Sequence, residues 1–102
     1  MKILISADME GISGITQWDM VTPGHPEYSR GRVLMTGDVN AAIAGAFEAG
    51  ATKLVVSDGH WDGRNILIEA LDARANLMPG THRLNGTQVR YTAPDVPTTY
   101  RW

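Results

Sequence analysis

The chain has 102 residues, 43% of them hydrophobic and 20% charged, which is the composition of one ordinary globular domain. Nine basic residues against eleven acidic ones give a net charge of -2, which argues against a protein that binds nucleic acids. Because cysteine is absent and the N-terminus resembles neither a signal peptide nor a membrane span, we expect a cytoplasmic protein without disulfides, thiolate zinc sites or a membrane partner.

A buried strand is the first predicted element, at residues 2–6, where aliphatic residues dominate the sequence KILIS. Two carboxylates, Asp8 and Glu10, follow it, and residues 11–26 form a loop rich in glycine and proline. Like charges so close together repel each other. A chain that places them after a strand therefore either binds a cation there or makes an ordinary turn.

A helix is predicted from about residue 27 to Gly50, where the glycine fits a C-terminal cap. Its apolar residues recur at spacings of three and four and form one stripe: Met35, Val39, Ala42, Ile43, Ala46 and Phe47. Three internal glycines, Gly31, Gly37 and Gly45, each destabilise a helix by roughly 1 kcal/mol relative to alanine. Close packing of the helix against a sheet would account for this cost.

A second strand of the same type is predicted at residues 52–57, and polar residues follow it. Residues 65–71 predict a short helix with Asn65 as its N-cap, and residues 75–78 predict a brief third strand. Strand, long helix and strand form a βαβ unit with parallel strands and a right-handed crossover. The sequence therefore predicts an α/β fold with a parallel βαβ-based sheet, as an incomplete three-layer domain because one long helix covers one face.

The composition changes near residue 80, which predicts two parts. Residues 1–80 form the α/β part, and residues 81–102 form an atypical tail. The dipeptide Asn-Gly at 85–86 is a strong turn signal and predicts a hairpin that places His82 opposite Val89. In the rest of the tail no periodicity remains and prolines interrupt any element, so irregular structure is expected there.

Asp8, Glu10 and His60 are predicted to meet at one edge of the sheet, because ligands of open parallel sheets bind at the carboxyl ends of the strands. In an extended chain Asp8 and Glu10 point to the same side with Cα atoms ~7 Å apart, and His60 comes from a strand ~5 Å away. Two carboxylates and an imidazole suit zinc or another first-row metal better than Mg²⁺. We therefore predict a metal site, with an ordinary turn as the alternative.

Other polar and aromatic residues near these strand ends have two interpretations each. Asp58 either orients the His60 ring as a hydrogen-bond acceptor or only ends the second strand. Trp61 either walls a substrate pocket or covers the end of the sheet, and Trp18 allows the same two interpretations. Ser13 lacks the glycine spacing of a nucleophile elbow, so we expect a loop serine and identify no catalytic residue.

Three stretches of the sequence stand out together: SADMEGISGI, EYSRGRVLMTGDVNAAIAGAFEAGAT and VVSDGHWDGRN. In this order and spacing they form a specific combination. They resemble the N-terminal part of the DppA-type zinc D-aminopeptidase family, and the resemblance extends from residue 2 to about residue 78. Asp38 stands where members of that family commonly have glutamate.

The resemblance implies a dizinc site in which Asp8 bridges two ions while Glu10 and His60 bind one of them. It also implies a ring-like homo-oligomer that hydrolyses N-terminal residues from short D-amino-acid peptides through a metal-activated water. The family's other metal ligands and its catalytic histidine lie further along a longer chain, and neither His25 nor His82 falls in a matching motif. The 102 residues therefore correspond to the N-terminal portion with one zinc half-site, and we expect this chain alone to be inactive.

Two alternatives remain open at this point. The first is a truncated, non-catalytic domain that binds one metal ion or assembles with other copies. The second is a Mg²⁺-dependent phosphatase in which Asp8 is the nucleophile and Glu10 the acid. His60 disfavours the phosphatase, because an imidazole is a poor ligand for Mg²⁺.

Overall fold

The computed structural model describes residues 1–78 in full and, beyond them, only the backbone of four short strands. Its central sheet contains three parallel strands in the order β1 (Lys2–Ala7), β2 (Lys53–Asp58) and β3 (Asn76–Met78). Each strand lies within about one residue of its predicted position. The parallel α/β sheet predicted from the sequence is thereby confirmed.

One long helix, α1 (Tyr28–Glu48), connects β1 to β2 and packs on one face of the sheet. Its buried residues Met35, Val39 and Ile43 join Leu54 and Val56 of β2 in the hydrophobic core. The spacing of three and four that predicted the helix thus marks its buried stripe, although Ala42 is exposed. Burial of aliphatic side chains, each contributing about 1.5–3 kcal/mol, holds the helix on the sheet.

The glycines within α1 do not pack against the sheet, so that prediction is wrong. At Gly31 an added Cβ would lie 1.9 Å from the carbonyl oxygen of Met20, which belongs to the short 3-10 turn Trp18–Met20. Gly37 and Gly45 have no atom within 4 Å of such a Cβ. Of these three glycines only Gly31 allows a close approach, and it is to the loop that follows β1.

The predicted helix at residues 65–71 is also wrong, because the described segment contains only a 3-10 turn, Ile68–Ala70. Asn65 does not cap it, since its side chain is fully buried and bonded to Asp58 and His60. The amides of Asn65 and Ile66 donate to the Asp58 carboxylate. A buried carboxylate therefore holds the backbone of this segment in place of helical hydrogen bonds.

Beyond residue 78 the described backbone forms two antiparallel pairs. β4 (Arg83–Leu84) pairs with β5 (Thr87–Gln88), and β6 (Arg90–Thr92) pairs with β7 (Thr99–Arg101). The first pair flanks the predicted turn at 85–86, which lies outside the described residues, as do His82 and Val89. The second pair includes a strand where the sequence predicts no element, and the division of the chain near residue 80 stays a prediction. Within the described part, no helix has the length and apolarity that crossing a membrane requires.

Candidate metal centre

The carboxyl ends of β1 and β2 lie side by side because of the register of the sheet. Ala7, the last residue of β1, pairs with Asp58, the last residue of β2. The Gly59 amide then donates to the Ala7 carbonyl at 2.8 Å, which extends the pairing by one step. Asp8 follows β1 directly and His60 follows β2 by two residues, so both side chains start from the same edge of the sheet.

Asp8, Glu10 and His60 form one cluster, in which a ligand atom of each lies within 4.8 Å of the others. His60 Nδ1 is 2.9 Å from Asp8 Oδ1 and 3.4 Å from Glu10 Oε2. Two donors at ~2.1 Å from one zinc ion lie at most ~4.2 Å apart, so only small movements are needed for all three to share an ion. The side chains of Asp8 and Glu10 are 61% and 55% exposed, so they have room for these movements. The His60 side chain is only 6% exposed.

The buried His60 ring is held on its other side by a backbone carbonyl. Nε2 lies 2.6 Å from the carbonyl oxygen of Val21. Because a carbonyl oxygen only accepts hydrogen bonds, Nε2 must bear a proton and donate it. Nδ1 lies 2.9 Å from Asp8 Oδ1, so it either carries a second proton and donates it to that carboxylate or, in the neutral ring, turns its lone pair towards Asp8 and Glu10.

This arrangement suits the cluster to a cation. A lone pair that faces two carboxylates is repulsive unless a positive charge lies between them. A proton on Nδ1 or a metal ion provides that charge, and one nitrogen with two carboxylates is a donor set that zinc accepts. The residues present therefore fit a metal ion, and an ion pair between protonated His60 and Asp8 would satisfy the same geometry.

Asp58 bonds to the backbone of the following loop. Its Oδ2 accepts hydrogen bonds from the amides of Asn65 and Ile66 at 2.7 and 2.8 Å. Its Oδ1 accepts from the Asn65 side chain at 3.0 Å and from the His60 amide at 3.4 Å. Since the ring nitrogens of His60 face Val21 and the carboxylate cluster, Asp58 positions the loop rather than the imidazole.

Asn65 links this loop to α1, a role that the sequence analysis missed. The Tyr28 hydroxyl donates to Asn65 Oδ1 at 2.5 Å, and Arg32 Nε donates to the Asn65 carbonyl at 2.9 Å. Asn65 Nδ2 in turn donates to the His60 carbonyl at 2.5 Å. Burial raises the pKa of Tyr28 above its usual value, with a smaller opposing effect of Arg32.

Trp61 lies beside His60 and is 59% exposed. Its Nε1 donates to the Val21 carbonyl at 3.0 Å, so one carbonyl accepts from both side chains. Its ring meets the His60 ring edge to face, with centroids 6.2 Å apart. The backbone of Trp61 has φ 49°, the only positive φ of a non-glycine residue in the described part of the chain. Strain of this kind often accompanies functional sites.

The remaining predicted positions lie in loops or on the helix. The Ser13 amide donates to Asp38 Oδ2 at 2.8 Å, and the exposed Ser13 occupies a loop as expected. His25 is exposed in the loop that precedes α1. Asp38, together with Asp8 and Glu10, lines a cleft of about 390 Å³. No described contact brings Ser13 or His25 into the carboxylate and histidine cluster.

Comparisons with known proteins identify the family of the chain. The model of the D-aminopeptidase family, Peptidase_M55, matches residues 1–87. D-aminopeptidase of Bacillus subtilis strain 168 is 42% identical over 80 residues, which are 78% of this chain and 29% of that protein. The solved structure of the Zn-dependent D-aminopeptidase DppA from Bacillus subtilis, described as a self-compartmentalizing protease, superposes with a TM-score of 0.77.

The likeness to that structure has the same extent, with 42% identity over 78% of this chain and 29% of the other. The chain therefore spans less than a third of the length of the relatives it matches. Because the family model covers most of the 102 residues, this chain belongs to the D-aminopeptidase family.

Proposed function

We propose that this chain supplies the first metal-binding part of a zinc-dependent aminopeptidase that removes N-terminal D-residues from short peptides. The observation that supports it most strongly is the orientation of His60, whose Nε2 faces the Val21 carbonyl while its Nδ1 faces Asp8 and Glu10. Membership of the D-aminopeptidase family supports the reaction class. It also favours a peptidase over the Mg²⁺-dependent phosphatase considered above.

Within this proposal each residue of the cluster has a distinct part. His60, buried and fixed at Nε2, provides the rigid ligand, while the exposed carboxylates of Asp8 and Glu10 adjust around the ion. Zinc bound there would supply Lewis-acid chemistry, which activates water and polarises a peptide carbonyl. We propose two ions in a complete site, with Asp8 shared between them, and a homo-oligomer, as the self-compartmentalizing relative suggests.

Zinc titration of the purified chain tests the metal centre. We expect one ion to bind, and His60→Ala to weaken binding at least about tenfold, because a ligand that is already positioned is removed. His25→Ala is the matched control, since His25 is an exposed loop histidine, and it should leave the affinity unchanged. Equal affinities of the two variants would contradict the proposed centre.

A chimera tests the reaction. The matching 80 residues of this chain would replace those of the Bacillus subtilis D-aminopeptidase, to which they are 42% identical. We expect the chimera to release D-alanine from D-Ala-D-Ala and to lose this activity with Asp8→Ala. A folded, zinc-loaded chimera without activity would favour the alternative of a non-catalytic metal-binding domain.

A further inference from the structure

Asn65 is not one of the proposed metal ligands, yet it bonds to one of them, and we propose that it is the residue that positions His60 for the ion. Its side chain is fully buried, and its Nδ2 donates to the His60 carbonyl at 2.5 Å. Asn65 thus acts on the backbone of His60 and not on its ring. This inference rests on the proposed function, because it takes His60 as a metal ligand.

The orientation of the Asn65 amide is dictated by its partners. Nδ2 faces the His60 carbonyl and Asp58 Oδ1, at 2.5 and 3.0 Å, and carbonyl and carboxylate oxygens only accept hydrogen bonds. Both hydrogens of the amide are used there, so Oδ1 is left to accept the Tyr28 hydroxyl at 2.5 Å. A buried amide satisfied in this way has one stable orientation. The hydrogen bonds therefore run in one direction, from Tyr28 through Asn65 to His60.

The bond from Asn65 secures a tight turn that begins at His60. The His60 carbonyl also accepts a hydrogen bond from the Gly63 amide at 2.8 Å, so both lone pairs of this oxygen have a donor. Trp61 follows His60 with φ 49°, and a non-glycine residue keeps such a conformation only where its surroundings fix it. Without the Asn65 amide, the Gly63 amide alone would hold this carbonyl, and the turn could relax.

The His60 ring has little freedom to compensate for a shift of its backbone. Nε2 lies 2.6 Å from the Val21 carbonyl and Nδ1 lies 2.9 Å from Asp8 Oδ1, so both ring nitrogens have a partner at hydrogen-bond distance. Such bonds weaken steeply as their geometry is lost. A relaxed turn would therefore misalign the ring, and a misaligned ligand binds a metal ion less tightly.

Four side chains on α1, one turn apart, bond to the segment that follows His60: Tyr28, Arg32, Thr36 and Asn40. The first of them reaches His60 through Asn65. The last, Asn40, bonds to the Ala70 carbonyl and the Asp72 amide, at 2.8 Å each. Asn40 thus makes the same kind of link between an amide side chain and the backbone, but at the far end of the segment.

Calorimetric zinc titration of the purified chain tests the role of Asn65. Asn65→Ala should weaken zinc binding at least about tenfold, as loss of a group that holds a metal ligand in place typically does. Asn40→Ala is the matched control and should leave the affinity unchanged. Tyr28→Phe removes only the hydroxyl that orients Asn65, so it should weaken zinc binding by a smaller factor, about twofold to fivefold.

Long-range ¹H–¹⁵N spectra of the metal-free chain provide a readout that a loss of stability alone would not move. In Asn65→Ala the Nε2 resonance of His60 should shift towards that of the exposed His25, because a ring that leaves the Val21 carbonyl is free to exchange tautomers. In Asn40→Ala the His60 resonance should stay where it is in the unmodified chain.

The outcomes separate this inference from the proposed function. If Asn65→Ala binds zinc as tightly as the unmodified chain, the positioning role is wrong while the metal centre stands. If both asparagine variants weaken zinc binding equally, Asn65 only stabilises the fold and the inference is overturned. If the unmodified chain binds no zinc, both fail. Should Asn65→Ala not fold, Tyr28→Phe decides, and an unchanged affinity with an unmoved His60 resonance would contradict the inference.

Discussion

The hydrogen bond between His60 Nε2 and the Val21 carbonyl determines which ring nitrogen can bind a cation. We expect zinc to perturb the Nδ1 resonance of His60 in long-range ¹H–¹⁵N spectra, while Nε2 keeps its proton. The exposed His25 provides the reference within the same spectrum and should not respond. A metal-induced change at Nε2, with Nδ1 protonated, would contradict the orientation described for the ring.

The cluster itself could be anticipated from the residues. Asp8, Glu10 and His60 follow two aliphatic runs, and parallel strands place such positions at one edge of a sheet. The support of the ring could not be anticipated, because the carbonyl of Val21 is a backbone group and any residue type offers one. Asn65 was misjudged for a related reason, since an asparagine before an apolar run has the same pattern whether it caps a helix or satisfies a buried carboxylate.

Among the elements, α1 and the turn Trp18–Met20 are packed more closely than any sequence pattern indicates. An added Cβ at Gly31 would collide with the Met20 carbonyl at 1.9 Å, so Gly31→Ala should destabilise the fold by about 1–3 kcal/mol. Gly37→Ala is the matched control. With nothing within 4 Å it should stabilise the helix by about 0.5–1 kcal/mol.

Urea denaturation monitored by circular dichroism measures both variants. Opposite signs of the change in unfolding free energy are the expected result. If Gly31→Ala were as stable as Gly37→Ala, the helix could not lie against the Met20 carbonyl as described.

The attachment of α1 to the loop at Asn65 predicts a dependence of stability on alkaline pH. Burial raises the pKa of Tyr28, and its protonated hydroxyl donates to Asn65. A raised pKa contributes stability that is fully present below the unfolded value of about 10 and is lost as pH rises through the folded value. Tyr28→Phe should cost about 1 kcal/mol at neutral pH and flatten the alkaline decline.

Denaturant melts of both proteins between pH 8 and pH 11 would decide this, since lysines titrate equally in the two. An equal alkaline decline in the variant would mean that Tyr28 is not the group responsible.

The strands could be predicted from the sequence, because runs of aliphatic residues bounded by glycine and polar residues define them locally. The segment at residues 65–71 depends on Asp58, a contact that its own sequence does not reveal.

For the whole molecule, what matters is how much of a catalytic site 102 residues can provide. They form a three-stranded parallel sheet with one long helix and a cluster of three ligands, and they match 29% of the Bacillus subtilis relative. The described residues contain no second group of three or more histidine, aspartate or glutamate side chains able to hold a metal ion. Hydrolysis that depends on two ions and a separate proton-transfer group would therefore lack several of its parts.

We accordingly expect the purified 102-residue chain, with zinc added, to release no D-alanine from D-Ala-D-Ala above the rate in buffer. The groups of a catalytic site act in one shared transition state, so the loss of any one of them already removes many orders of magnitude in rate. The Bacillus subtilis D-aminopeptidase serves as the positive reference in the same assay. Turnover by the short chain that Asp8→Ala abolishes would show that it assembles a complete site, for instance by sharing groups between copies.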